Sequence, residues 1–144
     1  MSTRTAEPLA PARVGLDPRI VLQSAWVFAV LNYLYCDVLT LMVASQLRQY
    51  LDGNVGGVEV TPGFLLAAGV LMEIPMSMVL VSRLAPHRSA RVATIIGGAI
   101  MTVVQAASLS FGTEGVPHYL FFSVIEISTT AFIVWFAWRW RAEG

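Results

Sequence analysis

Four long apolar segments constrain the fold of this chain more than any other feature. They occupy residues 20–46, 63–84, 90–111 and 118–138 of a sequence of 144 residues. A helix rises about 1.5 Å per residue and the hydrocarbon core of a bilayer is roughly 30 Å thick, so a membrane span needs about 20 apolar residues. We therefore predict an all-α protein: an integral membrane up-down four-helix bundle, formed as a single domain by residues 19–144.

The basic residues indicate how this bundle is oriented. All nine are arginine, and only Arg48 falls in a connection on the opposite side from the other eight. Because cytoplasmic loops of membrane proteins carry an excess of basic residues, we predict that both termini and the connection between the second and third spans are cytoplasmic. Residues 1–18 are polar and contain three prolines, so they are expected to form a disordered cytoplasmic tail.

Short motifs predict where the helices begin. Asp17 and Thr61 each precede a proline, a pattern typical of an N-cap followed by the first helical residue. Ser89 is the expected cap of the third span. The longest connection, residues 46–61, contains several glycines and the alternating segment Val-Glu-Val. We interpret it as an ordinary surface loop, with a small hairpin or a lid over the outer mouth of the bundle as alternatives.

Each span carries one strongly polar residue: Asp37, Glu73, Gln105 or Glu126. Counted from the outer ends of the apolar segments at about 1.5 Å per residue, these residues lie roughly 14, 15, 9 and 12 Å deep. Polar groups inside membrane helices usually face the bundle interior and mark functional sites. The sequence therefore predicts one polar layer, shared by all four helices, in the outer half of the membrane.

The acids of this layer are the predicted catalytic residues, and polar neighbours complete the site. Charged carboxylates are poorly solvated in a low-dielectric site and repel one another, so at least one of Asp37, Glu73 and Glu126 is expected to be protonated at neutral pH. Residues three or four positions apart share a helix face, which places Ser123 and Thr130 with Glu126. The predicted substrate-binding residues are Asn32, Tyr33, Gln105, Ser108 and Thr130.

Such a site suits several kinds of chemistry. A protonated carboxyl acts as a general acid toward a substrate, or exchanges its proton for a cationic solute during transport. Carboxylates also bind cations directly, although the sequence predicts neither a metal site nor a cofactor. The single cysteine, Cys36, is interpreted as a packing residue. The formal net charge is zero and no basic stripe is present, so nucleic acid is not an expected partner.

Three segments carry a resemblance to a known group of proteins: LNYLYCDVLTLM, GFLLAAGVLMEIPMSMVLVSRL, and FFSVIEI followed by FAWRW. They resemble a family of short bacterial four-span membrane proteins of unknown function. The resemblance implies the fold and a location in the bacterial cytoplasmic (inner) membrane, and no activity. The intramembrane acids are also loosely similar in site chemistry, without a shared motif, to emopamil-binding-type isomerases and membrane terpene cyclases. Small multidrug transporters differ, because their first helix has glutamate where this chain has Asp37.

Three functional interpretations remain at this point. The leading one is a carboxylate site that binds a lipophilic small molecule from the bilayer and protonates it for isomerisation or cyclisation. Asp37 or Glu73 would donate the proton, with Glu126 as partner. The alternative is a proton-coupled exporter of small cationic lipophilic compounds, which predicts a homodimer because four helices alone barely enclose a path. The third is a structural or accessory membrane subunit.

Overall fold

The computed structural model describes residues 16–109 and 117–141, which form five helices and one hairpin. Residues 1–15 of the predicted tail and most of the predicted second outer connection lie outside the described residues. The elements in chain order are α1 (Pro18–Leu41), α2 (Ala44–Leu51), β1 (Asn54–Val55), β2 (Val58–Glu59), α3 (Pro62–Leu84), α4 (His87–Ser108) and α5 (Pro117–Arg139).

Helices α1, α3, α4 and α5 form the bundle. Each has 22 to 24 residues and is long and apolar enough to cross a membrane. Helix α1 packs against α3 and α5, and α4 packs against the same two helices, so the four helices form a ring in chain order. The predicted all-α four-helix membrane bundle is confirmed.

The starts of the helices follow their capping residues. The Asp17 carboxylate accepts a hydrogen bond of 2.9 Å from the backbone N–H of Arg19, and the Thr61 hydroxyl accepts one of 3.1 Å from that of Phe64. Both predicted N-caps are confirmed. The prediction of Ser89 as the third cap is wrong, because α4 already begins at His87, where Pro86 precedes the helix and accepts the first helical hydrogen bond through its carbonyl group.

The first span ends earlier than predicted. Helix α1 stops at Leu41, whereas the sequence predicted a span to residue 46. Val43 has extended backbone angles, and the polar segment that follows it forms the separate helix α2. As a consequence Asp37 lies only four residues from the outer end of its helix. At about 1.5 Å per residue this is roughly 6 Å, less than half of the predicted depth.

The connection after α2 is a small antiparallel hairpin. Asn54 pairs with Glu59 and Val55 with Val58, which leaves Gly56 and Gly57 as a two-residue turn. Both glycines have positive φ, 54° and 87°. Two such residues define the tight turn that joins twisted strands, and glycine adopts them without a steric penalty. The hairpin alternative therefore describes this segment better than an ordinary loop.

The inner end of the bundle, defined by the start of α1 and the α3–α4 turn, is closed by apolar packing. Trp26 is fully buried at the centre of a cluster that involves α1, α4 and α5. Burial of such side chains contributes about 1.5–3 kcal/mol each relative to full exposure in water. The buried members that fill this cluster around Trp26 are Leu22, Ala29, Tyr33, Met101, Ile133 and Ala137.

Two arginines bind the helix ends together at the inner end. Arg19 donates a hydrogen bond of 2.7 Å to the carbonyl of Ala85, just after α3. Arg91 donates one of 2.8 Å to the carbonyl of Trp138, in the last turn of α5. Because basic side chains satisfy the free carbonyls at helix C-termini, these contacts hold both described ends of the chain beside the α3–α4 turn.

Candidate functional site

Asp37 lies in the wall of two adjoining cavities. The first is a mainly apolar cavity of about 190 Å³ between α1 and α3, which we call the α1–α3 crevice. Leu34 and Met76 at its rim are exposed on the outside of the bundle, so the crevice opens toward the region that lipid would occupy. Its lining residues are Val30, Tyr33, Leu34, Asp37, Met72, Pro75 and Met76.

The second cavity lies between Asp37 and the hairpin. It has a volume of about 350 Å³, and we call it the outer cavity. Helix α2 and the hairpin cover it, and the spanning helices supply the rest of its wall. Its described lining residues are Asp37, Thr40, Gln46, Tyr50, Val55, Gly56, Val58, Phe64, Ser108 and Tyr119.

Tyr50 of α2 lies near Asp37 on the outer side. Burial, followed by the nearby charge of Asp37, raises the pKa of the Tyr50 phenol above its ordinary value. Asp37 itself remains exposed rather than enclosed by protein. The sequence allowed a lid as one alternative for residues 46–61. In the structure this segment covers the outer cavity and brings the phenol of Tyr50 toward the carboxylate of Asp37.

Glu126 is the enclosed acid of the site. Its side chain is only 1% exposed, and its Oε1 atom has no hydrogen-bond partner among the described residues. The hydroxyl of Tyr33, which is 5% exposed, also has no partner there. Glu126 is not among the described lining residues of either cavity. Since buried polar atoms are rarely left unpaired, the Oε1 atom of Glu126 and the hydroxyl of Tyr33 are unusual features of the bundle interior.

The polar residues of α4 and α5 mainly bind one another. Gln105 donates a hydrogen bond of 2.9 Å from Nε2 to the hydroxyl of Ser123. Tyr119 donates one of 2.7 Å to the hydroxyl of Ser108, which also borders the outer cavity. The hydroxyl of Thr130 donates to the backbone carbonyl of Glu126 at 3.0 Å. The predicted helix faces are therefore present, and they form the α4–α5 contact.

Asn32 and Tyr33 have different environments although they are adjacent in the sequence. Asn32 is buried and donates a hydrogen bond of 2.8 Å to the carbonyl of Phe28 in its own helix. It does not appear among the described lining residues of either cavity. Tyr33 lines the crevice. Of the two residues, only Tyr33 is placed where a bound molecule would contact it.

The structure does not bring Glu73 together with the other acids. Its side chain is exposed on α3, and the described lining residues of the two cavities do not include it. It lies 11 residues from the start of α3, which is roughly 16 Å along the helix. Helix α3 is apolar around its whole circumference, so its sequence pattern does not reveal which side faces the bundle.

Three residues near the outer end join the site although the sequence did not assign them to it: Thr40, Tyr50 and Tyr119. Thr40 lies three positions after Asp37, a spacing that places both on one helix face. Its hydroxyl lies 3.3 Å from Nε2 of His118, which links α1 to α5. The same spacing rule would have identified Thr40 from the sequence. Tyr50 could not be assigned to the site in this way, because its position depends on the break between α1 and α2.

The described side chains of the site do not form a group of metal ligands. Among residues 16–109 and 117–141, no three His, Cys, Asp or Glu side chains come close enough together to hold an ion. The chemistry of the described site is that of two carboxyl groups, the phenols of Tyr33, Tyr50 and Tyr119, and the hydroxyls of Thr40 and Ser108.

The fold and this site define a multi-pass α-helical membrane protein with a carboxylate in the wall of two cavities, one lined almost entirely by apolar side chains and one by apolar and polar side chains. The chain belongs to a family of unknown function, DUF6326, whose model matches residues 17–144. This confirms the resemblance to an uncharacterised family of short membrane proteins. No curated protein and no solved structure matches the chain.

Proposed function

We propose that this protein is a multi-pass protein of the bacterial cytoplasmic membrane that binds a lipophilic small molecule in the α1–α3 crevice. The observation that carries the proposal is the position of Asp37, which borders both the apolar crevice and the outer cavity, whose lining contains more polar side chains. Ligand sites typically combine a mainly apolar wall with a few convergent polar groups. The crevice supplies the first feature, and Asp37 with Tyr33 supplies the second.

Lateral entry from the bilayer fits the arrangement of the rim. Leu34 and Met76 are exposed at the mouth of the crevice, with 56% and 43% of their surfaces free. A molecule dissolved in the hydrocarbon region would reach the cavity there without crossing an aqueous phase. Because the molecule leaves hydrocarbon rather than water, van der Waals packing against the apolar lining and the polar contacts at Asp37 would supply the binding energy.

The two acids suit proton transfer to such a molecule. Of the two donors suggested by the sequence, Asp37 borders both cavities, whereas Glu73 borders neither among the described residues. A protonated Asp37 would act as the general acid. The aromatic ring of Tyr33, which lines the crevice, would stabilise the positive charge that develops during isomerisation or cyclisation, with Glu126 enclosed in the bundle behind it. We assign these roles as part of the proposal.

The exporter alternative has less support from the packing. Transport requires a route from the outer cavity to the inner end of the bundle. The apolar cluster around Trp26 extends to that end, where Leu22, Trp26 and Ala137 are 0% exposed. The carboxylate site therefore supports binding from the bilayer more directly than passage across the membrane.

Saturable binding of a neutral lipophile tests the proposal. The purified protein in phosphatidylcholine nanodiscs would be titrated with radiolabelled dodecanol by equilibrium dialysis, with empty nanodiscs as the partition blank. We expect one saturable site per chain. Leu34→Trp should remove it, because the indole would fill the mouth of the crevice.

Leu66→Trp is the matched control. Leu66 is 70% exposed on α3 and is not among the described residues that line the crevice. This variant should bind dodecanol like the wild type, since the same added bulk lies away from the cavity. Binding that never saturates above the blank, or equal loss in both tryptophan variants, would refute the proposed site.

A further inference from the structure

We infer that the lipophile carries a cationic amine head group, which binds at Asp37 while its apolar chain enters the α1–α3 crevice. This inference rests on the binding site of the proposed function, takes Asp37 in its ionised form rather than as the protonated general acid, and adds the chemical class of the ligand. It combines three features of the site: the direction in which the two cavities extend, the sign of the charge between them, and a free polar atom beside that charge.

The two cavities extend in opposite directions from Asp37. Val30 and Leu34 line the crevice and lie seven and three residues before Asp37, which places the crevice up to about 10 Å further into the membrane. Thr40 and Tyr50 line the outer cavity and follow Asp37 in the chain. An amphiphile in the outer leaflet has the same orientation, with its chain directed inward and its head group directed outward.

The charge at this junction is negative. Asp37 borders both cavities, and no basic residue is among their described lining residues. In the described part of the chain, the arginines lie at the inner end of the bundle, except for Arg48, which is exposed on α2. A cation would be attracted to the Asp37 carboxylate, whereas a carboxylate or phosphate would be repelled by it.

The Tyr33 hydroxyl supplies a further polar contact. Tyr33 lies one helical turn inward from Asp37 and lines the same crevice. Its hydroxyl is enclosed and has no partner among the described residues, so contact with the head group requires the phenol to turn toward the crevice, where its free lone pair would accept an N–H donor. An ammonium group has several such donors and would then bind the carboxylate and the phenol together. A hydroxyl head group has one donor and gains no charge attraction.

Matched single-chain probes test this assignment. Radiolabelled dodecylamine, dodecanol and dodecanoate would be titrated at pH 7 into the protein in phosphatidylcholine nanodiscs, each against empty nanodiscs. We expect the amine to bind at least about tenfold more tightly than the alcohol, and dodecanoate to bind more weakly than the alcohol. Equal binding of amine and alcohol, or tighter binding of dodecanoate, would overturn the inference while leaving the proposed function intact.

Substitution of Asp37 tests whether its carboxylate causes the preference for the amine over the alcohol. In Asp37→Asn the amine and the alcohol should bind equally, with alcohol binding retained. Asp37→Glu should restore most of the amine preference, which separates loss of charge from loss of folding. Glu73→Gln, which removes an acid outside both cavities, should leave the preference unchanged. An amine preference that persists in Asp37→Asn would overturn the assignment.

A zwitterionic competitor distinguishes a separate small molecule from a bilayer lipid. Lysophosphatidylcholine has a cationic head group next to a phosphate, and the inference predicts that it displaces dodecylamine poorly. Displacement as effective as that by unlabelled dodecylamine would overturn the small-molecule assignment. If neither the amine nor the alcohol binds saturably, the proposed function itself fails, and the ligand assignment fails with it.

Discussion

The amide of Gln105 donates a hydrogen bond of 2.9 Å to the hydroxyl of Ser123, and this buried contact joins α4 to α5 in the outer half of the bundle. The spacing of polar residues had placed Gln105 at the ligand site. Its Nε2 group is instead occupied by a neighbouring helix. The polar layer therefore has two parts: an α4–α5 contact that holds the bundle together, with Glu126 enclosed beside it, and Asp37 in the wall of the cavities.

The Gln105–Ser123 bond should contribute to stability. We expect Gln105→Leu and Ser123→Ala to lower the free energy of unfolding, with a coupling of about 0.6 kcal/mol and at most about 1.7 kcal/mol, as found for interhelical hydrogen bonds in membranes. A double-mutant cycle of unfolding in mixed micelles would measure it. Ser24→Ala, at an exposed position of α1, is the control. Additive effects of the two substitutions would contradict the contribution of this bond.

Gly98 sets the distance between α4 and α5. A Cβ atom at this position would lie 2.7 Å from Cγ2 of Val134 and 3.4 Å from the carbonyl oxygen of Thr130. We expect Gly98→Ala to destabilise the bundle by about 1–3 kcal/mol, because overpacking displaces the helices. Thermal unfolding in detergent would measure the loss.

The neighbouring glycine provides the comparison for Gly98→Ala. At Gly97 the nearest atom to an added Cβ is Cγ of Met78, at 3.2 Å. Methionine is flexible and can move away, so Gly97→Ala should change the stability by less than about 1 kcal/mol, with helix propensity in its favour. Equal losses in both variants would show that close approach at Gly98 is not the cause.

The sequence predicted most of the fold because local chemistry determines it. Span length follows from the thickness of the bilayer, and the caps at Asp17 and Thr61 follow from side chains that accept a hydrogen bond from the next helical turn. The end of α1 was missed for a physical reason. Residues 42–46 are compatible with a helix, and the break at Val43 depends on how α2 and the hairpin pack over the bundle.

The site was predicted less completely than the fold. Helical spacing correctly grouped Ser123, Glu126 and Thr130 on one buried face. Spacing within a helix does not determine how that helix is rotated relative to its neighbours. Helix α3 shows this limit, since its apolar sequence is compatible with Glu73 facing either the bundle or the lipid. The tertiary packing directs Glu73 outward and Met72 into the crevice.

Arg91 should stabilise the inner end of α5. Its guanidinium donates hydrogen bonds of 3.1 and 2.8 Å to the carbonyls of Ala137 and Trp138. The Ala137 carbonyl also accepts a longer bond of 3.3 Å from the backbone N–H of Trp140, whereas the Trp138 carbonyl belongs to the last turn, where helical partners are missing. Arg91→Gln should therefore lower the free energy of unfolding by about 1–2 kcal/mol. Arg88→Gln, at an exposed position of the same helix, should have little effect. Thermal unfolding of both variants would decide this, and a larger loss in Arg88→Gln would contradict the capping role.

The orientation of the bundle can be tested with single cysteines. In a Cys36→Ala background, we expect Asp52→Cys to react with a membrane-impermeant maleimide in intact spheroplasts, and Arg88→Cys to react only after lysis. Both positions are exposed, at opposite ends of the bundle. The physical reason is the arginine excess at the inner end, which is retained in the cytoplasm during insertion. Reaction of Arg88→Cys before lysis, with protection of Asp52→Cys, would reverse the orientation. The outer cavity would then open to the cytoplasm, and the inferred amphiphile would come from the inner leaflet.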